Sequence, residues 1–164
     1  MANIKSAFDI SAVGTIITFS QVNGGGNHTI TEFSDEGTPF DSPDVDASTN
    51  KKNLNGTMIS SRTPSVYPFA ITVIPGSADD DFLWSCLQAA LIQPGTKVTQ
   101  ADKLLWNCTL SVPNINESGR ETGTRKFTYT NCRIKNGPTG PSSSAEGRLA
   151  SRTYTWEAEG LTKG

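Results

Sequence analysis

YPFAITVIPGSADDDFLWSCLQAALI, residues 67–92, contains a strand and a helix joined by a two-residue stop. In Tyr67–Ile74, Phe69, Ile71 and Val73 alternate with Ala70, Thr72 and Ile74, so both faces are largely apolar. That pattern predicts a strand covered on both sides. Pro68 marks a strand entry or an edge, and Pro75-Gly76 ends the run. Ser77 then offers an N-cap with Asp80 three residues on, and Asp79, Asp80 and Asp81 suit the positive end of a helix dipole. Leu83, Leu87, Ala90 and Leu91 form an apolar stripe widened by Phe82 and Cys86, and Pro94-Gly95 closes the segment. A helix over about 77–92 is expected to lie across a sheet, with Phe69, Ile71, Val73, Leu83 and Leu87 in the core.

Strands are expected on the C-terminal side. In Leu104–Val112, Trp106, Cys108, Leu110 and Val112 alternate with Asn107, Thr109 and Ser111, which puts Trp106 and Leu110 in the core. Residues 113–123, PNINESGRETG, read as a polar connection. Arg125–Lys135 pairs Phe127 with Tyr129 and then changes phase to Cys132 and Ile134, which predicts a bulge or twist near Asn131. After the turn-rich 136–147, Arg148–Ala158 is the last predicted strand, with Ala150, Tyr154, Trp156 and Ala158 inward.

On the N-terminal side, residues 1–9 read as a short arm. Val13, Thr15, Ile17 and Phe19 fall on one face of a strand, with Gly14 a bulge or close-packing point. NGGG at 23–26 turns the chain back into Asn27–Phe33, a hairpin. Residues 34–56, SDEGTPFDSPDVDASTNKKNLNG, have no periodicity and exceed the ordinary loop length. Such a loop is either disordered or ordered by a partner, and Phe40, Val45 and Leu54 are its candidate anchors. Thr57–Arg62 is a short strand candidate. The expected fold is therefore mainly β: an antiparallel sandwich or open barrel of six to seven strands with one covering helix, in a single domain spanning 1–164.

The chemistry of the chain argues against catalysis. His28 is the only histidine and reads as a surface turn residue; no nucleophile motif, Walker loop or dinucleotide fingerprint is present. Asp44, Asp46, Ser48 and Asn50 imitate the alternating ligands of a calcium loop, but Thr49 stands where its glycine belongs and Asn55 where its glutamate belongs. No cofactor or metal is implied. Cys86, Cys108 and Cys132 lack metal-ligand spacing and read as buried thiols suited to a reducing compartment; a Cys108–Cys132 bridge is also compatible with the sequence. The opening MANIKSAFD carries no apolar signal segment, so synthesis in the cytoplasm is expected, with no membrane insertion.

Charge is distributed unevenly. The formal net charge is −2, without the basic excess of a phosphate-gripping protein. Glu32, Asp35, Glu36, Asp41, Asp44 and Asp46 form an acidic stretch, whereas Arg120, Arg125, Lys126, Arg133, Lys135, Arg148 and Arg152 crowd the C-terminal part. An acidic segment of Phe40, Asp41, Asp44, Val45, Asp46 and Leu54 could meet a basic surface of Arg120, Arg125, Arg133 and Arg148 on another copy, with ordinary surface scatter as the alternative. Thr109, Ser111, Thr128, Thr130, Thr153 and Thr155 make uncharged polar strand faces, suited to packing on neighbouring sheets or lining a channel.

The order of these elements resembles the tail tube proteins of contractile-tailed phages. The resemblance rests on a strand ending TIITF, a long polar loop, then NLNGTMISSRTPSVYPFAITVIPGSADDDFLWSCL, and closing strands TYTNCRI and RTYTWEAE. Type VI secretion tubes share that architecture. The resemblance implies hexameric rings stacked into a hollow tube inside a contractile sheath. DNA would pass through without specific binding, and sheath, baseplate and tape-measure proteins would be partners. It further implies that the arm 1–9 and the loop 34–56 contact neighbouring subunits. Rival expectations are another virion protein (baseplate, tail terminator or head decoration) and a carbohydrate-binding module using Trp84, Trp106 or Trp156.

Overall fold

A computed structural model describes residues 14–35, 37–115, 121–143 and 146–164. The arm 1–9, Val13, Glu36 and Arg120 lie outside them. The described chain forms ten strands: β1 (Ile16–Gln21), β2 (Asn27–Ile30), β3 (Phe40–Asp41), β4 (Thr49–Lys52), β5 (Met58–Ser61), β6 (Tyr67–Val73), β7 (Trp106–Ile115), β8 (Glu121–Asn136), β9 (Arg152–Ala158) and β10 (Gly160–Lys163). One α-helix, α1 (Ala78–Ala90), follows β6, and a 3-10 turn at Ala101–Leu104 precedes β7. Eight strands share one antiparallel sheet ordered β2-β1-β7-β8-β9-β6-β3, with β10 also on β8; β4 and β5 form a separate hairpin. The class is the expected mainly β architecture with one covering helix, as an open sheet and with more strands than anticipated.

The sheet folds over its own core by bending along β8. The first half of β8 pairs with β7 on one side and β10 on the other, while its last residues pair with β9. At the change of partner Asn131 adopts φ 51, a left-handed conformation that asparagine tolerates better than most residues. Its side chain donates to Glu159 Oε2 at 2.9 Å, and Glu159 N donates to Thr130 O at 3.0 Å, so the kink between β9 and β10 is fastened to the bulge in β8. The phase change read from Tyr129 to Cys132 is this bulge. Both residues therefore remain in the core, at 3% and 0% exposure.

The bend brings β6 over β8, with the Phe69 and Tyr129 rings 4.5 Å apart, while Phe19 meets Trp156 at 4.9 Å. Phe69, Ile71, Val73, Leu83, Leu87, Leu110 and Trp156 are all buried. Trp106 is only half-buried. It starts β7 beside the helix and packs edge-on against Phe82 with ring centroids 5.3 Å apart.

Four sequence expectations need correction. Residues 113–123 are not simply a connection, because β7 runs to Ile115 and β8 begins at Glu121, extending the hairpin with polar residues. Residues 34–56 are not featureless: Ser34 N donates to Thr72 O, β3 pairs with β6, and β4 opens a hairpin with β5. Asn53 shapes that hairpin turn, its Oδ1 accepting from Asn55 N and Thr57 N, with Gly56 at φ 80. Ile74 lies past the end of β6 and is 40% exposed, so the two-sided cover expected over Tyr67–Ile74 stops at Thr72 and Val73. The helix ends at Ala90 rather than near Ile92, with Leu91 and Ile92 exposed.

Candidate functional site

Two adjacent aspartates at the start of α1 organise the helical end of the molecule. Ser77 caps the helix by accepting from Asp80 N, and Asp80 Oδ2 accepts in return from Gly76 N at 3.0 Å. The other oxygen of Asp80 accepts from Arg152 Nε at 2.7 Å and from the Tyr154 hydroxyl at 2.8 Å. Arg152 also donates to the carbonyls of Gly140 and Pro138, tying down the loop after β8. Burial pushes the Tyr154 hydroxyl up to about 12. Burial opposes the charge on Arg152, but its contacts with Tyr154 and Asp80 outweigh that and raise its pKa.

Asp79 faces the other way, toward β2. Its Oδ2 accepts from Thr31 N and Glu32 N at 2.9 and 2.8 Å, and its Oδ1 lies 2.7 Å from His28 Nε2. The His28 ring stacks on Phe82 at 4.2 Å. His28 is thus a strand residue holding the helix, and the surface-turn expectation is corrected. Asp79 and Asp80 act as buried acceptors for named partners, a role beyond complementing the helix dipole. Arg152 likewise leaves the set of surface cations.

The residues expected to meet a neighbour lie apart on the surface. Asp41 sits on β3, and Phe40 beside it stacks on Phe69 with ring centroids 6.0 Å apart, which secures one end of the segment to the core. Asp41, Asp44 and Asp46 are exposed, and Val45 is 36% exposed. Leu54 stands at the tip of the β4–β5 hairpin, fully exposed, with Met58 and Ile59 also exposed on β5. Of the basic residues, Arg125 and Arg133 are exposed, whereas Arg148 is paired within the chain. It donates to Asp35 at 2.6 Å, and that hydrogen bond holds the Asp35 carboxyl below its ordinary value.

The polar strand face forms an ordered row. Thr18 registers with Thr109, Thr109 with Thr128, and Thr128 with Thr162, across β1, β7, β8 and β10. Thr153 and Thr72 share a hydrogen bond of 2.9 Å on the other part of the sheet. Among the described residues, no cluster of three or more metal-binding side chains occurs. No described helix is long and apolar enough to cross a membrane. Cys86, Cys108 and Cys132 are free and buried, which removes the Cys108–Cys132 bridge; burial pushes Cys86 and Cys132 up to about 12 and Cys108 well above its ordinary value.

A bent antiparallel sheet closed by one capped helix is a fold shared with chains of contractile injection systems. A chain from an extracellular contractile injection system sheath/tube terminator superposes with a TM-score of 0.62 at 15% identity, over 96% of this chain and 98% of that one. A chain from the anti-feeding prophage tube-terminating cap gives 0.58 at 14% identity, over 99% and 95%. One from an injection-system sheath–tube complex gives 0.60 at 14% identity, over 98% and 93%. The family model described as tail fiber protein gp32 matches residues 8–162, and the chain belongs to that family. No protein of curated function matches it in sequence. Family membership makes the chain a component of a phage-like tail, the coarser part of the tail-tube expectation.

Proposed function

We propose that this chain is a structural subunit that assembles with copies of itself into a ring at an end of a contractile tail tube, as a terminator or baseplate component. The observation that carries this reading is the near-complete overlap with chains from a tube-terminating cap and a sheath/tube terminator, joined to membership of a tail protein family. Similarity to a chain of an anti-feeding prophage baseplate, at a TM-score of 0.53 and 9% identity over 100% of this chain, supports the baseplate variant. The likeness to a sheath–tube complex supports a second reading, a subunit of the tube itself; on the tail-tube resemblance such subunits would form six-membered stacked rings that conduct DNA.

On either reading the domain spans 1–164, with the arm 1–9 and residues 34–56 as interaction segments. Leu54 is fully exposed and Met58 and Ile59 are more than half exposed on a hairpin outside the main sheet, apolar surface that suits a neighbour. Partners would be tube, sheath and baseplate proteins in the tail of the virion. Electron microscopy of the purified protein tests the choice: single closed rings support the end role, and long tubes support the tube role.

A further inference from the structure

A cleft of about 530 Å³ opens between α1, the 3-10 turn and strands β7, β8 and β9. Phe82, Cys86, Trp106 and Ile134 give it apolar walls, and Trp156 lines it from within the core. Trp156 is fully buried, yet its Nε1 has no hydrogen-bond partner among the described residues. A buried indole N–H normally finds an acceptor, because leaving it unpaired forfeits a hydrogen bond that water would supply. Lys103 and Arg133 also line the cleft, and neither forms an ion pair among the described residues. The Trp156 N–H is sealed beneath the cleft floor, so a ligand for this site would be selected by the apolar walls and the two cations, combining an apolar group with negative charge.

We infer that the cleft receives the acidic segment 41–46 of a second copy, with Val45 entering between the apolar walls and Asp44 and Asp46 meeting Lys103 and Arg133. This rests on the self-assembly proposed above. Charge complementarity selects the occupant. The side chains of Asp41, Asp44 and Asp46 are exposed and have no polar partner among the described residues, and Val45 lies between two of them. The rival apolar projection, the hairpin carrying Leu54, brings Lys51 and Lys52 with it and would set like charges against Lys103 and Arg133. Within the sheet, β3 anchors the segment at the edge beyond β6, while the cleft is walled by β7, β8 and β9.

Two arms test the inference on the full chain. A peptide of residues 40–47 titrated into the wild-type protein should change tryptophan emission saturably and bind at least tenfold more weakly to Lys103→Glu/Arg133→Glu. No saturable change, or equal binding by the two proteins, overturns it. In the assembly arm, Lys103→Glu/Arg133→Glu and Asp44→Lys/Asp46→Lys should each abolish oligomers, and the quadruple variant should restore them. These side chains are exposed or line the cleft mouth, and unchanged melting curves verify that each variant folds. Oligomers persisting in both double variants would sink the cleft assignment while leaving the subunit role intact. A monomeric wild type would instead remove the self-assembly reading, and the peptide arm would then decide the cleft alone.

Discussion

Asp80 Oδ1 lies 2.7 Å from Arg152 Nε, joining the first turn of α1 to β9 across 72 residues of sequence. The two side chains are 9% and 10% exposed, and the remaining polar atoms of the pair are occupied by Gly76, Tyr154, Gly140 and Pro138. A buried pair with its valences filled need not stabilise more than an apolar substitute, but removing one member strands the other. The helix therefore docks in one position, with Asp79 fixing its other side to His28 and the end of β2.

Asp80→Ala should destabilise the domain by about 3–5 kcal/mol, because Arg152 keeps its charge without a carboxylate. Denaturant unfolding measures this, and Asp80→Ala with Arg152→Met should recover part of the loss. A single-variant loss below about 1 kcal/mol would show that the pair does not anchor the helix.

Gly137 follows β8 where its missing side chain makes room for Tyr154. A Cβ there would fall 2.5 Å from Tyr154 Cδ1 and 3.3 Å from Leu87 Cδ2. Gly137→Ala should cost about 1–3 kcal/mol through overpacking. The loss should shrink when Tyr154 is shortened to Leu, which a double-mutant cycle in thermal melts would read as coupling.

Asn131 should accept glycine far better than a β-branched residue. At φ 51, Asn131→Val is expected to lose about 1–2 kcal/mol from backbone strain, besides the bond to Glu159. Asn131→Gly keeps the conformation and loses only that exposed bond. Equal stability of the two variants would mean that the bulge is not held left-handed.

Alkaline pH should unfold the protein progressively from about pH 9 to 12. Burial pushes the Cys86 and Cys132 thiols and the Tyr154 hydroxyl up to about 12, so unfolding lets each ionise at its lower ordinary value. The stability from these groups is complete below their unfolded pKa values and is lost as pH rises through the folded ones. Melting temperature should therefore be insensitive to these groups below about pH 8. The thiols should stay unreactive to a thiol reagent until the protein unfolds. Rapid labelling of all three cysteines in native buffer would contradict their burial.

The sequence made some parts of this fold legible because local pattern and tertiary packing agree there. Alternating Phe69, Ile71 and Val73 gave β6, Ser77 gave the helix start, and the phase change after Tyr129 gave the bulge. Half of the β4–β5 hairpin was legible, because β5 is the Thr57–Arg62 strand candidate. Its partner β4 carried no signal, since all four of its residues are exposed and alternation of buried and solvent faces cannot develop. The ends of β7 and β8 were missed because Pro113, Asn114 and Gly123 are turn-forming residue types that read as a connection. Asp79 and Asp80 looked like dipole partners because His28 and Arg152 lie 51 and 72 residues away, a separation that local reading does not bridge. The cleft at Trp156 was illegible as well, since an inward tryptophan reads as core whether or not its N–H has a partner.

Negative-stain electron microscopy of the purified full-length protein tests the proposed subunit role most directly. The account predicts closed rings of uniform diameter that remain single or pair face to face. Unassembled monomers at every concentration would contradict a ring-forming subunit, and tubes of indefinite length would contradict its placement at a tube end.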